Sequence, residues 1–230
     1  MPFSSLFPRQ VSITHRERLL SALGAALAVG LLAWISRHFI DSGDVPFLAA
    51  SMGASTILLL AVPHSPFSQP WAMSGGHLLG ALAGITCARL VPDVFLATVL
   101  AMGVTVLLMF YLRCLHPPGG GTVLLAVLGG PKIQAMGYLF AVTPILFNAL
   151  ILLAVALLLN RLIPHRQYPQ PHPPAKTAPP AKKLGFSHAD LAAALEEIDE
   201  VIDVSEEDLE DIYQRALAHS KRRHQAKTHH

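Results

Sequence analysis

Charge is scarce in this chain: 14% of its 230 residues are Asp, Glu, Lys or Arg, and the net charge is +2. So small a surplus, with basic residues at the ends of segments and not along one face, excludes a nucleic-acid partner. Acidic residues are missing altogether from the interior of the apolar runs, which argues against a carboxylate proton relay. Cysteine is nearly absent too. Cys87 and Cys114 both lie in apolar stretches, where a thiol acts as a small hydrophobe, so no disulfide framework is implied. A metalloenzyme built on Cys114 and His116 lacks the third ligand that a catalytic metal needs, so neither an enzyme nor a cofactor is expected. What the chain does have is grease: 52% of its residues are hydrophobic and the mean hydropathy is +0.46. This is the composition of a membrane protein.

Four apolar runs read as spans. Leu19 to Ser36 is flanked by Arg16, Arg18 and Arg37 and is about long enough to cross ~30 Å of hydrocarbon. Trp71 to Leu90 and Val94 to Leu112 are separated only by "VPD", which forces an antiparallel pair. Ala135 to Leu159 contains Pro144, so a kink or tilt is expected. The first run after its basic head also has the outline of a signal peptide, but no convincing cleavage site follows. Arg9, Arg16 and Arg18 before the first span, and Arg161, Arg166, Lys176, Lys182 and Lys183 after the last, place both termini in the cytoplasm of a multi-pass protein of the cell inner (plasma) membrane. The number of crossings is then even.

Two shorter apolar stretches, Pro46 to Val62 and Pro118 to Leu128, resemble one another: "GASTILLLAV" from Gly53 aligns with "GGGTVLLAVL" from Gly119. Each follows a long apolar helix, and each precedes a proline-bearing turn and a segment opening with "AM", Ala72-Met73 or Ala135-Met136. The expected fold is therefore all-α, with two copies of a unit made of helix, short Gly-rich segment and helix. Repeats around short, Gly- or Pro-interrupted segments point to a transport site at their interface. If the short segments cross, there are six crossings and inverted units; if they re-enter, there are four and parallel units. Inverted units are the preferred reading, because interrupted helices meeting at the midplane give each freed backbone group a polar cavity to face.

Proline belongs in the first turn of a helix, so "HPPGGGT" reads as a helix start, with His116 near the cap and Pro117 and Pro118 fixing the entry. A helix amino terminus has unpaired N–H groups and about half a positive charge, which suits an anion. The candidate solute-binding residues are accordingly His116, Pro117, Pro118, Gly119, Gly120 and Thr122. Gly53, Ser55 and Thr56, with Ser51 nearby, form a weaker counterpart in the first unit. His116 is expected as a neutral imidazole donating from one nitrogen, either to a solute or merely to a carbonyl that closes its own turn. Arg113 marks the membrane boundary or offers its charge to an entering anion.

His64 and Gln69 lie in an uncharged loop, "PHSPFSQPWAMSGG", that suits a vestibule or an ordinary turn. Gly76, Gly80 and Gly84, like Ala22, Ala26 and Gly30, have the four-residue spacing of a close helix contact, and a homodimer is expected from such faces. Asn148, one turn after Pro144, satisfies backbone freed by the kink or faces the pathway.

Residues 1–165 thus form a transmembrane domain. Residues 166–186 read as a Pro-rich basic linker near the inner lipid surface, and 187–230 as an acidic cytosolic helical hairpin capped by Ser187 and Ser205 and ending in a basic tail. The stretch 187–219 is a candidate surface for a cytosolic partner.

"CLHPPGGGTVLL", "PFLAASMGASTILLLAVPHSPFSQPWAMSGGHLLGALAG" and Asn148 together resemble the HPP family of integral membrane proteins, whose label is the triplet found here as His116, Pro117 and Pro118. The resemblance covers about Arg16 to Leu162. It implies four membrane helices and, from plastid and cyanobacterial relatives assigned nitrite transport, passage of a small inorganic monovalent anion. Some members also carry paired CBS nucleotide-sensing domains, and "GFSHADLAAALEEIDEVIDVSEEDLEDIY" is similar to the connector that leads into them. Adenylate regulation within this polypeptide is not expected. The leading reading is a transporter or channel for nitrite or a similar anion; the alternative is a membrane-anchored sensor or scaffold that acts through the acidic hairpin.

Overall fold

A computed structural model describes residues 14–39, 50–163 and 166–170, together with Leu209 and Tyr213. Apart from Leu209 and Tyr213, the stretch read as the acidic hairpin and basic tail lies outside these residues, as does most of the linker. The described part is helical, with no strand among the described residues.

The chain begins with α1 (His15–Phe39). Its Leu19, Leu23, Leu27, Leu31 and Trp34 are exposed, whereas Ala28, Leu32 and Ser36 are fully buried. That division is the pattern of a helix with lipid on one face and protein on the other. Next come α2 (Ser51–Ala61), a single 3₁₀ turn at Pro66–Ser68, and α3 (Pro70–Leu90). Proline opens α3 where a missing N–H costs nothing. After the turn at Val91–Asp93, the Asp93 carboxylate accepts from the Leu96 N–H at 2.7 Å and starts α4 (Val94–Tyr111). α4 buries Ala97, Ala101, Thr105 and Met109, one residue per turn, and leaves Phe95, Val99, Leu107 and Phe110 exposed. Arg113, in the left-handed region at φ 52°, ends it.

Then follow α5 (Gly119–Leu128), α6 (Pro131–Met136), a widened turn at Ala141–Leu146 and α7 (Phe147–Leu162). The fourth apolar run is therefore not one helix from Ala135. Gly137 at φ 56° breaks it, and a Cβ there would collide with the Arg89 guanidinium. Ala135 and Met136 close α6 and do not open a span, so that part of the repeat alignment fails. The kink expected at Pro144 is present, with Thr143 in an extended conformation (φ −131°, ψ 115°) inside the helical run.

Three stretches, His15–Arg37, Val94–Tyr111 and Ala141–Leu162, are long and apolar enough to cross a membrane. α3 has the length but a lower hydropathy because it lies in the middle, packed against α4, α5 and α7. With 11 and 10 residues, α2 and α5 reach only about 16 Å and 15 Å, half of a bilayer core.

Side-chain bonds mark the two ends of the bundle. At one end the Trp71 indole N–H donates to the Leu112 carbonyl (2.9 Å), joining the start of α3 to the end of α4. At the same end Arg166 donates to Leu60 O (2.8 Å), Asn160 Oδ1 (3.0 Å) and Ser21 Oγ (2.7 Å), gathering the ends of α2 and α7 beside the start of α1. At the opposite end Gln134 Nε2 donates to the last carbonyls of α5, Ala126 (2.7 Å) and Val127 (3.2 Å), while Thr86 of α3 meets Tyr138. Helix directions thus alternate along the chain from α1 through α5 to α7, and α5 runs parallel to α3.

Residues 166–170, read from sequence as the start of an extended linker, pack onto the body. The buried Tyr168 hydroxyl donates to Ser68 O at 2.9 Å, and Gln170 N–H donates to Gln69 Oε1 at 3.0 Å.

Candidate functional site

The glycines of α3 determine what lies at the centre. A Cβ on Gly80 would stand 2.6 Å from the Gly119 carbonyl oxygen, and one on Gly76 would meet His116 Cβ. One on Gly84 would meet Ala126 Cβ. The stripe Gly76, Gly80, Gly84 is the seam on which α5 and the His-Pro-Pro turn lie, backbone against backbone. On α1 the corresponding expectation is not met within the chain. Ala22, Ala26 and Gly30 are exposed, and Gly24, Ala28 and Leu32 make the buried contact.

The close approach brings five buried polar side chains together from three helices and one turn. Ser51 Oγ of α2 is 2.9 Å from Thr122 Oγ1 of α5, which is 2.7 Å from Nδ1 of His77 on α3. Ser55 Oγ of α2 is 2.8 Å from Nε2 of His77 and 2.8 Å from Nε2 of His116. His116 Nδ1 is 2.8 Å from the carbonyl of Phe67. The two imidazoles meet edge to face with centroids 4.9 Å apart. Ser55, His77, His116 and Thr122 have no solvent-accessible surface at all, and Ser51 retains 6%.

One carbonyl fixes the sense of this chain. Phe67 O only accepts, so His116 Nδ1 carries the proton and, in the neutral ring, its Nε2 accepts from Ser55. Ser55 has a single hydrogen, so His77 Nε2 must donate to it and His77 Nδ1 must accept from Thr122. Thr122 then accepts from Ser51. Ser51, Thr122, His77, Ser55 and His116 each donate to the next and the run ends on the accepting Phe67 carbonyl, with every O–H and N–H used once.

The sequence-named residues divide around this cluster. Ser55, His116 and Thr122 are in it, with Ser51. Gly119 is buried against Gly76, and Gly120 is half-buried with Met102 3.6 Å from where its Cβ would be. Pro118 is buried and Pro117 exposed. Gly53 is exposed with nothing near it. Thr56 bonds back to Met52 O (2.8 Å). Asn148 accepts from Ser36 on α1.

The unpaired amides expected at the head of α5 are already paired. Gly119, Gly120 and Gly121 N–H donate to His116, Pro117 and Pro118 carbonyls at 2.9, 3.0 and 3.0 Å, because the turn winds into the helix by i to i−3 bonds. The groups at the centre with hydrogen-bonding chemistry are therefore side chains. His77 was missed in the sequence reading, although an ionisable residue inside an apolar run was signal enough.

A cavity of about 400 Å³ at the Arg166 end is lined by Arg16, Glu17, His64 and Arg166 among others. Another of about 350 Å³ at the opposite end is lined by Arg89, Val127 and Gln134. His64 thus lines a cavity, whereas Gln69 donates to Pro63 O and Ser65 O and braces its own loop. Arg113 is exposed.

The chain is similar to known membrane proteins. A description of the family "HPP, transmembrane region" matches residues 10–169. A transmembrane protein of Dictyostelium discoideum is 34% identical over 146 residues, 61% of this chain and 51% of the relative. A second from the same organism is 29% identical over 153 residues, 65% and 49% of the respective lengths. The chain therefore spans about half the length of these relatives. No solved structure matches it. A match across most of the chain, the His-Pro-Pro turn included, means that this protein belongs to the HPP family of membrane proteins.

Proposed function

We propose that the protein conducts a small monovalent anion, with nitrite the first solute to test, across the cell inner (plasma) membrane, and that the solute passes the Ser51, Ser55, His77, His116 and Thr122 cluster. The observation that carries this reading is the convergence of two half-length helices, α2 and α5, on one buried hydrogen-bonded cluster that contains both buried histidines of the described residues. Half-length segments meeting in this way are the architecture of a transport site. Cavities lined by arginine at both ends give an anion a cationic entrance on either side.

In this reading α1, α2, α3 and α4, α5, α7 are inverted units with six crossings, and both termini lie in the cytoplasm. The cluster holds no Arg or Lys, so its side chains carry no fixed charge. A monovalent anion suits that environment, whereas sulfate or phosphate would leave buried charge without a counter-ion. Gly119 lies flush against Gly76, so the side of the turn by which a solute would pass is that of Gly120, half-buried with Met102 3.6 Å from where its Cβ would be.

The test is uptake of nitrite into proteoliposomes against protein-free controls. His116→Ala and Gly120→Leu are expected to lower uptake by at least about tenfold, the effect of losing one hydrogen bond or blocking the path. Unchanged uptake in both would remove the cluster from the pathway.

A further inference from the structure

We propose that the cluster takes up one proton with each anion, and that the Ser55 hydroxyl is the switch between its two protonation states; this rests on the transport reading above. In the neutral chain each donor is already committed, so an arriving anion meets no free N–H or O–H. A proton added at His116 Nε2 gives the site a positive charge for the anion without breaking the network. The imidazolium then donates from Nδ1 to Phe67 O and from Nε2 to Ser55 Oγ, and Ser55 turns its own hydrogen to the Ser51 carbonyl, which stands 3.2 Å from its oxygen. His77 Nε2 still donates to Ser55. The Ser55 oxygen then accepts twice and donates once, its full capacity. Two completely bonded states of the same side chains thus differ by one proton.

His77 has no such second arrangement. A proton on its Nδ1 would turn Thr122 toward Ser51, and the Ser51 hydrogen would lose its acceptor.

The groups facing His116 are Ser55 from α2, His77 from α3 at 4.9 Å between centroids, and the Phe67 carbonyl from the turn before α3. Cys114, two residues earlier, lies against Gly75. Among the described residues no Asp, Glu, Lys or Arg bonds to a side chain of the cluster. The charge of the imidazolium is therefore balanced by the anion itself, and the loaded site is electrically neutral. The proton is drawn from the water on the side where the anion enters, resides on His116, and leaves with the anion on the other side.

The experiment loads wild-type proteoliposomes with a pH indicator, imposes a nitrite gradient at neutral pH and clamps the membrane potential with potassium and valinomycin. Protein-free liposomes correct for nitrous acid that crosses the lipid unaided, and nitrate serves as a second probe whose acid does not. The expected result is one proton moved with each anion, at a rate indifferent to the clamp. Anion uptake driven by the potential without proton movement overturns the coupling and leaves the transport reading standing. No protein-dependent uptake of either anion removes the transport reading itself. Ser55→Thr, which keeps the hydroxyl, is expected to hold the ratio near one, and Ser55→Ala to lower both the ratio and, by about tenfold, the rate. A Ser55→Ala protein that keeps full coupling also overturns the switch.

Discussion

Ser51 and Thr122, 71 positions apart in the chain, hold their hydroxyl oxygens 2.9 Å apart. Through this bond α2 touches α5, and in the sense fixed by the Phe67 carbonyl Ser51 donates to Thr122. A double-mutant cycle with Ser51→Ala and Thr122→Val should therefore give a coupling of about 0.5–3 kcal/mol in thermal or denaturant unfolding in detergent. Strictly additive effects would mean that the two hydroxyls do not bond in the folded protein.

The direction of the donor chain is open to spectroscopy. In isotope-labelled protein, the nitrogen shifts of the neutral imidazoles should place the proton on Nδ1 of His116 and on Nε2 of His77, since Phe67 O can only accept. The opposite pair of tautomers would leave the Phe67 carbonyl facing a bare ring nitrogen, reverse the other bonds of the cluster and contradict the geometry.

Glycines in the same bundle should respond oppositely to alanine. At Gly80 a methyl group meets the Gly119 carbonyl oxygen, which is backbone and cannot step aside, so Gly80→Ala should destabilise by about 1–3 kcal/mol. At Gly30, where nothing lies within 4 Å, the same change should be neutral or stabilising by up to about 1 kcal/mol through helix propensity. Melting temperatures of the two variants in one detergent decide it.

Arg166 should matter far more than the ion pair it forms. Its side chain is 3% exposed and serves Leu60, Asn160 and Ser21 as a planar donor, whereas its partner Glu17 is 46% exposed and 3.4 Å away. Arg166→Lys cannot reproduce the fork and should cost about 1–3 kcal/mol, while Glu17→Gln should cost less than about 1 kcal/mol. Equal losses for the two variants in the same unfolding assay would assign the effect to charge pairing.

Much of the fold is written in the spacing of small and large residues. The α3 seam was readable because Gly76, Gly80 and Gly84 stand alone in their register. On α1 small residues occupy positions 22, 24, 25, 26, 28 and 30, so several stripes of the same period compete, and packing against Leu60 and Leu159 chose the one through Gly24. The apolar run from Ala135 concealed a break, since hydropathy does not register that Gly137 must turn to make room for Arg89.

The centre was half legible. Ser55, Thr122 and His116 carried the polar signal of the two short segments, and they do converge. The role of the amides was misjudged because a sequence shows which N–H groups lack a helical partner but not that three carbonyls of the preceding turn will fold back onto them. His77 escaped notice because it stands between a glycine pair and two leucines, in a helix that otherwise reads as lipid-spanning.

The three-residue turn between α3 and α4 bears on how such a chain is made. In the six-pass reading, α3 emerges during synthesis with His77 and a bare glycine seam, and the α5 that covers both is still unmade. α4, more apolar and tethered by Val91–Asp93, follows at once, so in that reading the two are placed to enter the lipid as one hairpin. α5 then finds its groove already standing, and chaperoning the exposed seam in the interval falls to the neighbouring arm.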